Sequence, residues 1–172
     1  SRDWSSDVCS SDLSGKSTIA NACEKALFNL NRHSYVLDGD RLRHGISKDL
    51  GFSAKDRAEN VRRVSEVARI LLDAGLIVLV ALVSPFEVDR QRAKEMFPDS
   101  DFHLVWVNTP VEICVSRDTK GLYKKAAAGQ IQNLTGMGQN YEPPSSADLI
   151  ISGDENLEKN VEKILNLIGI QL

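Results

Sequence analysis

Gly15-Lys16-Ser17-Thr18 places an unhindered backbone, an ammonium and two hydroxyls in four consecutive positions. It is the second half of the pattern G-x-x-x-x-G-K-[ST], in which backbone N–H groups wrap phosphates, the lysine reaches the β/γ oxygens and the hydroxyl meets magnesium. The leading glycine is absent, since Ser10 stands five positions before Gly15. A four-residue match also arises by chance at helix starts, so other groups must support it. Asp38-Gly39-Asp40 supplies two carboxylates two positions apart. On an extended end they share one side, within reach of a hydroxyl or a magnesium-bound water. Phosphoryl transfer needs charge neutralised around the γ-phosphate, an in-line hydroxyl, and a group that positions or deprotonates it. Lys16 and a magnesium ion held through Ser17 meet the first need, and Asp40 the last, as general base or metal-orienting carboxylate.

These residues require a scaffold that gathers them. Apolar residues at Ile19, Cys23, Ala26, Leu27 and Leu30 predict a helix over 19–30, starting just after the Gly-Lys-Ser-Thr run. A strand is predicted at 35–37, stopped by the acidic turn, and a helix at 60–74 with Gly75 as its C-terminal cap. Residues 76–83 are apolar at every position, the pattern of a parallel strand covered on both faces. A charged helix at 86–96, a strand at 103–107, and a helix at 111–117 opened by Pro110 follow. The basic stretch 118–138 carries too little apolar content for a core and reads as a mobile flap. A last strand at 149–151 and a closing helix at 157–168 complete the series. Such alternation predicts an α/β fold with a doubly wound, mostly parallel sheet and helices on both faces. Ligands then bind beyond the carboxyl ends of the strands, where Gly15-Lys16-Ser17, Asp38-Gly39-Asp40, Ser84-Pro85 and Asn108-Thr109 all fall.

The N-terminus departs from that plan. Residues 1–12 offer only Trp4, Val8 and Cys9 among serines and aspartates, so the buried strand that should lead into the phosphate loop is expected to be degraded or missing. The string SSDVCSSDL (5–13) resembles an accidental translation of a sequencing adapter joined to a gene fragment. Residues 1–13 are accordingly expected to be non-native and 14–172 to form one domain.

A net charge of −3 argues against general attraction to nucleic acid or anionic membrane, so any anion site must be local. The longest apolar run is far short of the roughly 20 residues that span a bilayer, and no signal peptide is read. Cys9, Cys23 and Cys114 are widely spaced and fit neither a disulfide framework nor a zinc site, which suits a reducing cytoplasm.

Beyond these readings, the chain resembles the adenosine 5′-phosphosulfate (APS) kinase family. LDGDRLRHGISKDLGFSAKDRAENVRRVSEVA (37–68), LVSPF (82–86) and RDTKGLYKKAAAGQIQNLTG (117–136) are similar to its signature blocks. The resemblance implies a fold like that of P-loop nucleoside triphosphate hydrolases and transfer of phosphate from ATP to the 3′-hydroxyl of APS in sulfate assimilation, with ATP and Mg2+ as cofactors. It gives Gly15, Lys16, Ser17, Thr18 and Arg117 to ATP, and Ser17 and Asp40 to the metal. To APS it gives Asp38, Asp40, Arg43, Phe52, Arg57, Asn60, Ser84, Lys120, Leu122 and Leu134. Lys16, Asp40 and Ser84 are its catalytic candidates, with Ser84 contacting substrate and phosphate passing directly. Arginine suits multidentate oxyanion recognition; Arg62 and Arg63 read as a solvated helix face, and Phe52 fits either an adenine contact or a core position. Leu134 stands where the family usually has phenylalanine, Thr119 where proline is common, and Glu87 where a basic residue follows. The first change favours a rival reading, a sister kinase acting on another nucleotide-linked anion. A non-catalytic nucleotide-binding domain is the other rival, opposed by Asp38, Asp40 and the basic flap. Family members are often dimers, and fusion to or association with ATP sulfurylase is a further arrangement the resemblance allows.

Overall fold

The alternation of Ile77–Ala81 explains why this chain winds helices onto both faces of a sheet. In the computed structural model, which describes residues 4–7, 13–117, 134–135, 138–139 and 141–171, this strand is buried at all five positions. Val78 and Val80 join one core cluster with Val61, Val64, Ala68 and Leu72. Ile77 and Leu79 join a second with Ile19, Cys23, Leu27, Ile164 and Leu165. Successive strand residues point to opposite faces, so one fully apolar strand serves two helical layers.

The strands are β1 (Trp4–Asp7), β2 (Ser34–Asp38), β3 (Ile77–Ala81), β4 (Phe102–Val107), the two-residue β5 (Leu134–Thr135) and β6 (Gly138–Gln139), and β7 (Leu149–Ile151). The main sheet runs β2-β3-β1-β4-β7, all parallel, and β5 pairs with β6. Helices α1 (Lys16–Asn29) and α6 (Leu157–Leu167) back one face; α3 (Ala54–Asp73) and α4 (Glu87–Lys94) back the other, with α2 (Gly39–Arg43) and α5 (Val111–Ser116) at the rim. The α/β class and its doubly wound topology follow the sequence pattern closely.

Local chemistry fixes the helix ends. Ser53 caps α3 by accepting from the Asp56 N–H, and its hydroxyl donates to the Asp56 carboxylate at 2.7 Å. At the other end Gly75 takes φ +87. Its N–H donates to the Leu72 carbonyl and the Leu76 N–H to Leu71, the paired bonds of a left-handed glycine cap.

Three expectations need correction. The first strand is not missing: residues 4–7 hold the central place, in register with Val78–Ala81 on one side and Phe102–Val105 on the other. Backbone ladder bonds can form whatever the side chains are, so a polar run can occupy a position that its composition does not predict. Second, Asp38 and Asp40 do not share an extended end, because the chain turns into α2 at Gly39. Third, Arg63 is no solvated residue. Its guanidinium grips Asp49 at 2.6 and 2.9 Å, Glu59 at 2.9 Å and the Ile46 carbonyl at 2.9 Å, strapping the 44–53 loop to α3. Hydrogen bonds from Arg63 hold the Asp49 carboxyl below its usual value, and those from Arg62 and Arg63 hold Glu59 down to about 2. Of the basic stretch 118–138, only 134–135 and 138 lie within the described residues.

Candidate active site

The carboxyl ends of β2, β3, β4 and β7 form one rim, and α1 begins there. Gly15 is its N-cap at φ +99, a conformation that suits glycine. Among the described residues no side chain caps this end and no acid stands in its first turn, so a fourteen-residue helix presents its positive pole to the rim. Lys16 is buried, its ammonium donating to the Ser14 hydroxyl at 3.4 Å. The Ser17 hydroxyl donates to Asp38 at 2.5 Å, tying the helix start to the end of β2. The other Asp38 oxygen accepts from the Asp40 and Arg41 N–H groups at 3.0 and 3.2 Å and caps α2. Asp40 is therefore exposed in the first turn of α2 while Asp38 faces Ser17.

This is an all-oxygen donor set. Among the described residues no cluster of three or more His, Cys, Asp or Glu could hold a metal alone. One hydroxyl and one or two carboxylates suit magnesium, which keeps waters and completes its shell with substrate phosphates. The residues present fit that ion.

A second group sits beyond α2. Phe52 is 56% exposed, which removes the core alternative, and its ring lies 4.4 Å from the Arg43 guanidinium and 5.6 Å from that of Arg57. Arg43 donates to the Gly51 carbonyl at 2.8 Å, and Arg57 Nε to the Phe52 carbonyl at 3.3 Å. Asn60, one turn along α3, is 2% exposed and its Oδ1 meets no donor within the described chain. Buried amide oxygens are normally paired, so this one suits a ligand donor. Topology puts the first turns of α3 at the rim, because α3 starts there and runs back to feed β3. Ser84 follows β3 at the same rim and is buried.

A cleft of about 350 Å³ opens on the other side of α1, lined by Gly15, Lys16, Thr18, Arg117, Gly153 and Asn160. Arg117 Nη2 donates to the Gly153 carbonyl at 2.9 Å. Asn160 is 1% exposed; its Nδ2 donates to the Ser152 carbonyl at 2.8 Å, and its Oδ1 has no donor within the described chain. The buried Thr109 hydroxyl donates to the Ser14 carbonyl at 2.8 Å and accepts from the Gly153 N–H at 2.7 Å. Gly153 is obligatory, since a Cβ there would lie 1.8 Å from the Ser14 carbonyl oxygen. Sequence reading placed Thr109 at the rim without a role and passed over Gly153 and Asn160. The one available signal was a glycine two residues past an apolar strand. Lys120 and Leu122 lie outside the described residues, as does the side chain of Leu134.

Thr109→Val should cost about 1–3 kcal/mol of stability by leaving one buried and one partly buried backbone group without this partner. It should also weaken ATP binding more than acceptor binding, read from thermal melting and from the two Michaelis constants. Equal stability would remove the clasp from the phosphate loop's support.

A parallel α/β sheet whose first helix opens on Gly-Lys-Ser-Thr, with a carboxylate bonded to the serine, defines a kinase of the P-loop class. The family model described as adenylylsulphate kinase matches residues 8–152, and the chain belongs to that family. An adenylyl-sulfate kinase of Shewanella halifaxensis is 51% identical over 157 residues, covering 91% of this chain and 77% of the relative. The bifunctional enzyme NodQ of a Rhizobium species is 48% identical over 90% of this chain, which spans 24% of that longer protein. The structure of the Mycobacterium tuberculosis APS kinase in complex with AMPPNP and APS matches with a TM-score of 0.92 at 40% identity, covering 98% of both chains.

Proposed function

We propose that this chain transfers the γ-phosphoryl group of ATP to the 3′-hydroxyl of APS, giving ADP and 3′-phosphoadenosine 5′-phosphosulfate. The observation that carries the choice of acceptor is the exposed Phe52 beside Arg43 and Arg57: an aromatic group for adenine with two guanidiniums for a phosphosulfate. The cleft beside Arg117 and Asn160 takes the ATP base, and the α1 N-terminus with Lys16 takes its phosphates. Ser17, with the carboxylates of Asp38 and Asp40 nearby, would hold magnesium, and an ion bound there would neutralise charge on the transferred group. Asp40, exposed on the first turn of α2, accepts the proton of the attacking hydroxyl. Ser84 contacts the acceptor, and Lys120, Leu122 and Leu134 close on it.

The same reading puts the protein in the cytoplasm, in sulfate assimilation, with 1–13 as a non-native segment whose residues 4–7 fill the place of the first strand, and 14–172 as the native kinase domain. A homodimer and an association with ATP sulfurylase are parts of this proposal. That this chain spans 24% of a relative named a bifunctional enzyme supports fusion to a second activity.

Asp40→Asn should lower turnover about 100-fold or more with ATP binding nearly intact, because the amide keeps the shape but accepts no proton. Near-normal turnover would take Asp40 out of that role. The acceptor is tested by ADP release with APS, adenosine monophosphate or no acceptor. Release that depends on APS supports the assignment. Equal release with the monophosphate would favour a sister kinase, the reading to which Leu134 points.

A further inference from the structure

Arg90 belongs to no part of the site as described, yet its side chain is 1% exposed and lies directly behind Ser84. Its Nη1 donates to the Ser84 carbonyl at 2.7 Å, its Nη2 to the Glu142 carbonyl at 2.8 Å, and its Nε to the Glu87 carboxylate at 2.9 Å, with Nη2 on the same carboxylate. Glu142 completes the ring from the other side. Its N–H donates to the Pro85 carbonyl at 2.9 Å, and its carboxylate accepts from the Glu87 N–H at 2.7 Å. That last bond replaces a local cap: Phe86, the N-cap of α4, makes no side-chain capping bond. Ser145 and Gln91 donate to the remaining Glu87 oxygen at 2.9 and 3.0 Å. Although burial works against the charge, hydrogen bonds from Gln91, Arg90 and Ser145 hold the Glu87 carboxyl down to about 2, so Arg90 keeps its counter-ion at neutral pH.

The outcome is a turn held from outside itself. The Ser84 carbonyl, the Pro85 carbonyl and the Glu87 N–H are all bonded to Arg90 or Glu142, residues 6 and more than 50 positions from Ser84. A planar guanidinium fits this task because its donors leave in fixed directions, which a lysine ammonium cannot reproduce. Glu87, which departs from the basic residue expected there, is the anion that lets a buried arginine stand at this place.

We propose that Arg90 is a positioning residue for the transfer reaction: with Glu142 it fixes the Ser84–Glu87 turn and joins it to the 141–145 segment. This role rests on Ser84 lying at the acceptor, as proposed above. Arg90 touches no substrate, and its effect passes through the turn.

The test uses Arg90→Lys and Glu142→Ala in the full chain. Backbone hydrogen exchange at Glu87 and Glu142 should quicken about tenfold or more in Arg90→Lys, with β2 and β3 amides unchanged. Glu142→Ala should deprotect Glu87 alone. Turnover in Arg90→Lys should fall about 10- to 100-fold, the scale of a small misplacement of reacting groups, with the Michaelis constant for ATP unchanged. In a Ser84→Ala background that fall should shrink, because both changes act on one turn. Wild-type exchange rates at both amides would overturn the proposal, as would an equal fall in the two backgrounds. If the parent chain does not phosphorylate APS, the kinase reading fails by itself, and the exchange rates still decide whether Arg90 holds the turn.

Discussion

Lys16→Ala should reduce turnover by about 100- to 1,000-fold, the scale for removing one preorganised group that meets charge developing on a phosphoryl or oxyanion centre. Lys16 is 7% exposed at the start of α1, held near Ser14 and beside the Ser17–Asp38 pair. Phosphate oxygens are the anions that an ammonium at this place would meet in the complex, so its largest effect is expected on turnover. Steady-state rates at saturating ATP check it. A loss of less than about fivefold would show that the α1 N-terminus neutralises the phosphates without it.

Restoring an apolar first strand should produce the other large change. Residues 4–7 lie between β3 and β4, at the centre of the sheet, yet read Trp-Ser-Ser-Asp. Central parallel strands are covered on both faces and call for aliphatic residues. Placing valine or isoleucine at 5, 6 and 7 should raise stability by about 2–5 kcal/mol, since each aliphatic taken fully from water contributes about 1.5–3 kcal/mol and repacking offsets part of it. Adding Ser10→Gly should strengthen ATP binding, because the leading position of a phosphate loop favours the backbone freedom of glycine. The chain as written is accordingly expected to be a slow kinase. Melting curves and ATP affinities of the two chains side by side decide this. Equal values would make 1–13 a working variant of the loop and end the view that it is non-native.

What the sequence revealed, and what it hid, divides by distance along the chain. The uniformly apolar 77–81 run announced a two-faced parallel strand, and Gly75 announced the left-handed cap that ends α3, because both are local patterns. Asp38 misled for a local reason: an aspartate after a strand can cap the next helix, and here it does, turning Asp40 to a different side from the one alternation predicts. Arg63 was assigned to solvent because charged helix residues usually face it, but Asp49 lies 14 positions earlier in a loop whose path no periodicity describes. The Thr109–Gly153 clasp and the Arg90–Glu142 ring join residues 44 and 52 apart. Neither has a spacing rule, since contacts of that span are set by the sheet order. The residues proposed to hold phosphate were legible because one helix start carries them consecutively. Asn160 was not, because it reaches the same cleft from the last helix of the chain.

The proposed reaction forms one bond, from the γ-phosphorus of ATP to the 3′-oxygen of APS, as the β–γ phosphoanhydride breaks and ADP leaves. Its most direct test is to incubate the protein with magnesium, APS and ATP labelled at the γ-phosphate, then locate the label by phosphorus NMR and by a nuclease specific for 3′-phosphates. The prediction is a product carrying the label at the 3′ position with its phosphosulfate intact, released by the nuclease in amounts equal to the ADP formed. Label on water, or on an acceptor other than the 3′-hydroxyl of APS, would contradict it.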